Sequence, residues 1–197
     1  MKQILDAAFA HPRGLLGRLG ASIMARSKER NAWIISLLDV QLTDHILEVG
    51  FGPGTVVQSL ATIATAGFVA GIDASELMVK QASELNVQAI QQERVQLQQG
   101  DALTLPFEEA TFDKALSINS VQIWPDSLTG LKEMRRVLKR AGLINIALQP
   151  VWVRKDDEVR QIGEDLLAQL ARAGFQHTRL EFKSMKPMAC VCALGAK

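Results

Sequence analysis

The chain has 197 residues, enough for one domain with one substantial hydrophobic core. Apolar residues make up 48% and charged residues 22%, an ordinary globular balance, and the formal charge of +1 excludes a general electrostatic pull toward nucleic acid. No stretch is apolar enough for long enough to span a bilayer, and Asp6 interrupts the only early run that could act as a secretory signal, so a cytoplasmic protein without a membrane anchor is expected.

Residues 1–44 read as a helical cap. A short helix over 2–10 is expected to stop at Pro12, and Gly14, Gly17 and Gly20 loosen the next stretch. Residues 28–39 carry an apolar stripe of Ala32, Trp33, Ile35 and Leu38. The basic excess is local: residues 1–31 hold Lys2, Arg13, Arg18, Arg26, Lys28 and Arg30 against Asp6 and Glu29. A solvated helix face accounts for it; contact with an anionic substrate or membrane surface is the alternative.

From residue 45 the chain alternates. Strands are expected at 45–49, 68–73, 94–98, 113–118 and 143–148, with helices at 54–65, 75–89 and 127–140 between them. In the last helix Leu128, Leu131, Met134, Val137 and Leu138 share a face, Asp126 or Ser127 can cap its start and Gly142 can end it. Such alternation predicts an α/β doubly wound sheet with right-handed crossovers and helices on both faces. A helix at 157–173 then leads to strands near 177–183 and 188–194, which are too close for a crossover and should pair as an antiparallel hairpin, making seven strands in all. No linker or repeat divides the chain, so residues 1–197 are expected to form a single domain, cap 1–44 and core 45–197. Cys190 and Cys192, two apart on a strand, read as a buried apolar pair, and no metal is expected.

Chemistry concentrates at the carboxyl ends of the strands, where open α/β sheets bind ligands. Gly50, Gly52 and Gly54 follow the first strand, Asp73 ends the second, Gly100 and Asp101 follow the third, Asn119 the fourth and Gln149 the fifth. A glycine-rich turn lets a nucleotide-like ligand touch bare backbone, and an acid after the second strand can take ribose hydroxyls. Ser75 is the better cap for the helix that comes after Asp73, and Gln149 reads as a strand terminus rather than a contact.

These residues resemble the class I S-adenosylmethionine-dependent methyltransferases, in particular the small-molecule branch that includes the ubiquinone/menaquinone C-methyltransferases. Leu47-Glu48-Val49-Gly50-Phe51-Gly52-Pro53-Gly54 is similar to the family's E/D-x-G-x-G-x-G motif. Gly71-Ile72-Asp73-Ala74-Ser75 through Met78, Gln99-Gly100-Asp101-Ala102 with Leu105-Pro106-Phe107, Phe112-Asp113, and Leu131 to Gly142 match further landmarks in order. The resemblance covers 42–149 and implies a Rossmann-like fold, S-adenosyl-L-methionine as cofactor and S-adenosyl-L-homocysteine as product. It implies that Gly50, Gly52 and Gly54 pack on the methionine portion, with Glu48 supporting the loop or the ammonium. Asp73 would bind the ribose, Ala74 and Met78 would flank the adenine, and Asp101 and Ala102 would meet its edge beside Gly100. Asn119 or Ser117 would border the methyl group. Two departures are plain: Arg140-Ala141-Gly142 replaces a P-G-G turn, and Ser117-Ile118-Asn119-Ser120 replaces the N/D-P-P-Y tetrad of enzymes acting on exocyclic amines of DNA bases, which argues against a nucleic-acid substrate.

Methyl transfer from a sulfonium releases a neutral group, so alignment and exclusion of water suffice unless the acceptor is a weak acid needing a base. No catalytic residue is evident; His11 and Asn119 are the weak candidates. The connection over 150–156 is short, so a helical lid should come from residues 1–40, with Phe9, His11 and Trp33 lining it and Trp124 walling the acceptor pocket. His45 and His177 lie away from the crevice. The acceptor is expected to be a small molecule, lipid-like ones included; oligomeric state stays open. A non-catalytic S-adenosylmethionine-binding relative is the alternative. A nicotinamide oxidoreductase fits less well, because Thr55 stands where its G-x-G-x-x-G turn needs the last glycine.

Overall fold

The computed structural model describes residues 27–197. The chain divides into two compact units, residues 1–33 and 34–197. Helix α1 occupies residues 27–36. Most of the expected cap, including Phe9 and His11, lies outside the described residues.

The second unit is a seven-stranded sheet. Its strands are β1 (His45–Val49), β2 (Phe68–Asp73), β3 (Val95–Gln99), β4 (Phe112–Ile118), β5 (Leu138–Leu148), β6 (Gln176–Lys183) and β7 (Cys190–Ala196). They lie in the order β3-β2-β1-β4-β5-β7-β6. The first five pair in parallel, and β7 runs antiparallel to both β5 and β6. This is the mostly parallel Rossmann-like sheet with the terminal antiparallel pair that the sequence predicts.

Side chains alternate across the strands and feed two cores. Ile46, Val69 and Leu116 point to the layer holding helix α2 (Thr55–Ile63) and helix α3 (Glu76–Leu85). Leu47, Val49, Ala70, Ala115 and Ile146 point to the layer holding helix α5 (Ser127–Val137) and helix α6 (Asp156–Arg172). Both cysteines of β7 are free and buried, as expected of a small apolar pair.

Two element boundaries differ from expectation, each for a local reason. The helix expected over 75–89 breaks at Asn86 into α3 and a short α4 (Val87–Gln91). The buried Asn86 side chain donates to the carbonyls of Ala82 (2.8 Å) and Gly54 (3.1 Å), tying the end of α3 to the glycine turn. The helix expected over 127–140 ends at Val137, and the chain passes directly into β5. Leu138 pairs opposite Phe112, and the register then slips, Lys114 facing Leu143. The intervening residues form a bulge: Ala141 adopts φ 62°, and Lys139 Nζ reaches the Asp113 carboxylate at 2.9 Å. Asp126, of the two suggested caps for α5, accepts from the Thr129 amide.

Among the described residues, no helix is long and apolar enough to cross a membrane, and no group of His, Cys, Asp and Glu is placed to hold a metal ion.

Candidate active site

The strand order reverses between β1 and β4: β2 and β3 continue on one side of β1, β4 and β5 on the other. The connections leaving the two central strands therefore separate and open a crevice above their carboxyl ends. A cavity of about 400 Å³ occupies this point. Gly50 and Gly52 line it from the turn after β1, Asp73, Ala74 and Met78 from the region after β2, and Gly100, Asp101 and Ala102 from the turn after β3. Asn119 and Trp124 close it from the segment after β4. Ten of the residues singled out in the sequence thus meet in one place, as the strand-end argument requires.

The turn after β1 is shaped by its glycines. A Cβ at Gly50 would land on the Ser120 hydroxyl, so the absence of a side chain lets the β4 segment close against the turn. Nothing lies within 4 Å of the Cβ position of Gly52, which leaves bare backbone facing the cavity. Gly54 serves differently. It does not line the cavity but packs on α3, where a Cβ would lie 2.5 Å from Ala82 Cβ.

Asp73 is held by the backbone on both oxygens. Oδ2 accepts from the Gly52 amide at 2.8 Å and Oδ1 from the Ser75 amide at 2.9 Å. An ionised carboxylate has about four acceptor positions, so two stay available for a ligand diol while the carboxylate plane is already set. Ser75 caps α3 through the Met78 amide, as predicted. Asp101 is also anchored, accepting from the Leu103 amide at 2.9 Å.

Asn119, with φ 51°, takes the left-handed conformation that asparagine tolerates, and its Oδ1 accepts from the Gln149 amide at 2.7 Å. That bond ties the end of β4 to the end of β5. Gln149 itself points elsewhere, donating to the carbonyls of Met188 and Lys186. Ser117 is buried, does not line the cavity, and has no partner for its hydroxyl oxygen.

Glu48 is 2% exposed and sits behind the glycine turn. Burial, then the nearby negative charge of Asp73, hold its carboxyl well above the ordinary carboxylate range, against a hydrogen bond from the Val57 amide; Oε2 has no partner. Between the ordinary and the raised value the unfolded chain releases this proton and the folded chain keeps it, so stability falls as pH rises through that window. Glu48→Gln keeps the shape of the protonated acid and removes the titration. Its melting temperature is expected to fall less than the wild type's between pH 5 and pH 8 (about one unit above ordinary carboxylates, to well beyond them). Parallel melting curves would refute a neutral Glu48.

Sequence reasoning missed Ser120 and Ile123. Ser120 Oγ accepts from Trp124 Nε1 at 2.9 Å, and Ile123, 76% exposed, forms the rim. Both depend on the single 3₁₀ turn Val121–Ile123, which carries no periodic signature. Trp33 belongs to the first unit, and His45 and His177 do not line the cavity.

A family model described as a methyltransferase domain matches residues 47–146. The uncharacterized methyltransferase YdaC of Bacillus subtilis is 34% identical over 179 residues, which is 90% of this chain and 97% of that protein. The chain belongs to this methyltransferase family. A demethylmenaquinone methyltransferase of Staphylococcus aureus is 40% identical over 95 residues, covering 48% of this methyltransferase and 38% of that one. Among solved structures, an S-adenosylmethionine-dependent methyltransferase from Aquifex aeolicus superposes with a TM-score of 0.65 at 21% identity, covering 84% of this chain and 88% of that one, a likeness of fold. The family match spans the glycine turn, Asp73 and Asp101, and reaches into β5.

Proposed function

We propose that the cavity is the S-adenosyl-L-methionine site of an enzyme that methylates a small-molecule acceptor. The observation that carries this reading is the charge of the lining. Among the described residues its ionisable side chains are the acids Asp73 and Asp101, with no lysine or arginine. A cationic sulfonium ligand suits such a site; the pyrophosphate of a nicotinamide dinucleotide does not. The free acceptor positions of Asp73 fit a ribose diol, and Met78 and Ala102 offer apolar surface to a base. Gly52 leaves room for close backbone approach.

When bound, S-adenosylmethionine supplies an electrophilic methyl group whose transfer leaves a neutral thioether. The protein's contribution is placement. The Gly50 turn, Ser120 and Asn119 hold the wall nearest the switch point, and Trp124 shields it. No general base is assigned. Orientation in a water-poor site is sufficient for an acceptor that is already nucleophilic. The small-molecule assignment is supported by the Staphylococcus aureus relative, whose name gives demethylmenaquinone as its acceptor.

Calorimetry with S-adenosylmethionine, S-adenosylhomocysteine and NADH tests the cofactor. Micromolar binding of the first two and none of NADH is expected; NADH binding alone, or no binding, sinks the reading. Incubation with methyl-labelled cofactor and a panel of hydroquinones, phenols, amines and thiols tests turnover. Cofactor binding without label transfer to any of them would favour a non-catalytic binding protein.

A further inference from the structure

Strand β6 ends the sheet. Strand β7 pairs with one of its sides, and among the described residues no strand pairs with the other. Such an edge presents a row of unpaired amides and carbonyls, which proteins ordinarily protect with charged side chains, proline or a bulge. The one bulge in β6 lies at its start, where His177 takes φ 51° and the register slips between Gln176 and Arg179. From there the strand runs in regular register to Lys183.

The two faces of this segment differ. Thr178, Leu180 and Phe182 share the face toward α6. Gly163 of α6 comes close enough there that a Cβ would lie 3.1 Å from Leu180 Cδ1, and the Arg160 guanidinium stands 5.4 Å from the Phe182 ring centre. Phe182 is nonetheless 39% exposed. Arg179, Glu181 and Lys183 share the other face, with signs that alternate along it. Arg179 Nε and Glu181 Oε1 are 3.5 Å apart, on side chains 56% and 43% exposed. An exposed pair of this kind contributes little by itself.

We propose that the outer edge of β6 is the contact between two copies of this chain, paired antiparallel about a two-fold axis that passes through Leu180 normal to the sheet. Residues opposite each other across such an axis lie on the same face of the sheet, so the axis must pass through a residue and not between two. The charges choose which one. With the axis at Leu180, Arg179 of each copy faces Glu181 of the other, and the two in-strand pairs join into a ring of four alternating charges. On the opposite face Leu180 meets its own copy, and the exposed Phe182 meets Thr178. With the axis at Arg179 two arginines face each other. With the axis at Glu181 two glutamates do, and Arg179 faces Lys183. An axis at Phe182 sets Glu181 against Lys183 but engages only residues 181–183 of the strand. Opposite charges directly across an antiparallel pair stabilise it, and like charges destabilise it. The register at Leu180 uses residues 178–182 and stops short of the bulge at His177. The opposite edge of the sheet, β3, carries no ionisable side chain and has no such code.

Light scattering of the full chain after size exclusion, at about 100 µM, tests the pairing. The wild type is expected at twice the chain mass. Arg179→Glu surrounds the axis with four acids and Glu181→Arg surrounds it with four bases, so each variant is expected to associate about 100-fold or more weakly and to run as a monomer. An equimolar mixture of the two variants again sets opposite charges across the axis in every pair of unlike chains, and is expected to return to twice the chain mass. Arg179→Gln and Glu181→Gln, which remove charge without reversing it, are each expected to weaken association about tenfold, and they decide the matter if a reversed variant fails to fold by circular dichroism. A monomeric wild type, a folded variant that associates as the wild type does, or a mixture of folded variants that stays monomeric overturns the proposal.

Discussion

Asp73→Ala is expected to lower S-adenosylhomocysteine affinity about 100-fold or more, since the proposed ribose contact would lose two charge-assisted hydrogen bonds worth about 1.5–3 kcal/mol each. The same change strips the Gly52 and Ser75 amides of their acceptor. A stability loss of about 1–2 kcal/mol should accompany it, seen as a melting temperature lower by roughly 3–8 °C. Binding and stability separate through Ser75→Ala, which removes the α3 cap but leaves the Asp73 carboxylate and the Ser75 amide. That variant should lose about 1 kcal/mol of stability and keep most of its affinity. Affinity retained within about threefold in a folded Asp73→Ala protein would remove ribose recognition from Asp73.

Gly54→Val should be the more damaging change to the fold. Its φ of +80° is unfavourable for a β-branched residue, and the added Cβ would meet Ala82 Cα and Asn86 Nδ2 at 2.9 Å. The two effects sum to about 2–5 kcal/mol, or a melting temperature lowered by roughly 5–15 °C. Gly52→Ala supplies the contrast. No neighbour stands within 4 Å of its Cβ position, so about 1 kcal/mol of backbone strain is the main cost to stability, while the methyl group intrudes on the cavity. Thermal melts and S-adenosylhomocysteine titrations should therefore rank the two variants in opposite orders. Equal melting temperatures would show that the close contact of Gly54 with α3 carries little of the fold.

The place of this turn in the fold was legible in the sequence. Three glycines in five residues after an apolar run announce a turn at a strand end, and Asp73 at the end of the next run announces its companion. The strand alternation then brings both to the same edge. The roles within the turn were not legible. Gly54 reads like Gly50 and Gly52 in sequence, and only its contact with Ala82 and Asn86 distinguishes it. The start of β5 was hidden because Leu138 continues the helical stripe of Leu131, Met134 and Val137. Tertiary pairing with Phe112 outweighs that periodicity. The break at Asn86 was hidden in the same way: the buried side chain serves as a tether, and its long-range partner, Gly54, is 32 residues away. Ser120 carried no motif at all, and its importance comes from proximity to a glycine 70 positions earlier, a close approach that the missing side chain of Gly50 permits.

The sheet order has a consequence for how this protein is made. Strand β7 is synthesised after β6 yet lies between β5 and β6. While the ribosome is still extending the chain beyond β6, the backbone amides and carbonyls of residues 143–148 in β5 have no strand beside them on that flank, because their partners are residues 191–196. An open strand edge flanked by apolar side chains is a template for pairing with other chains. The nascent protein thus passes through an interval of exposure whose length is set by the translation of β6 and the connection to β7, and insertion of β7 ends it for both neighbouring strands at once.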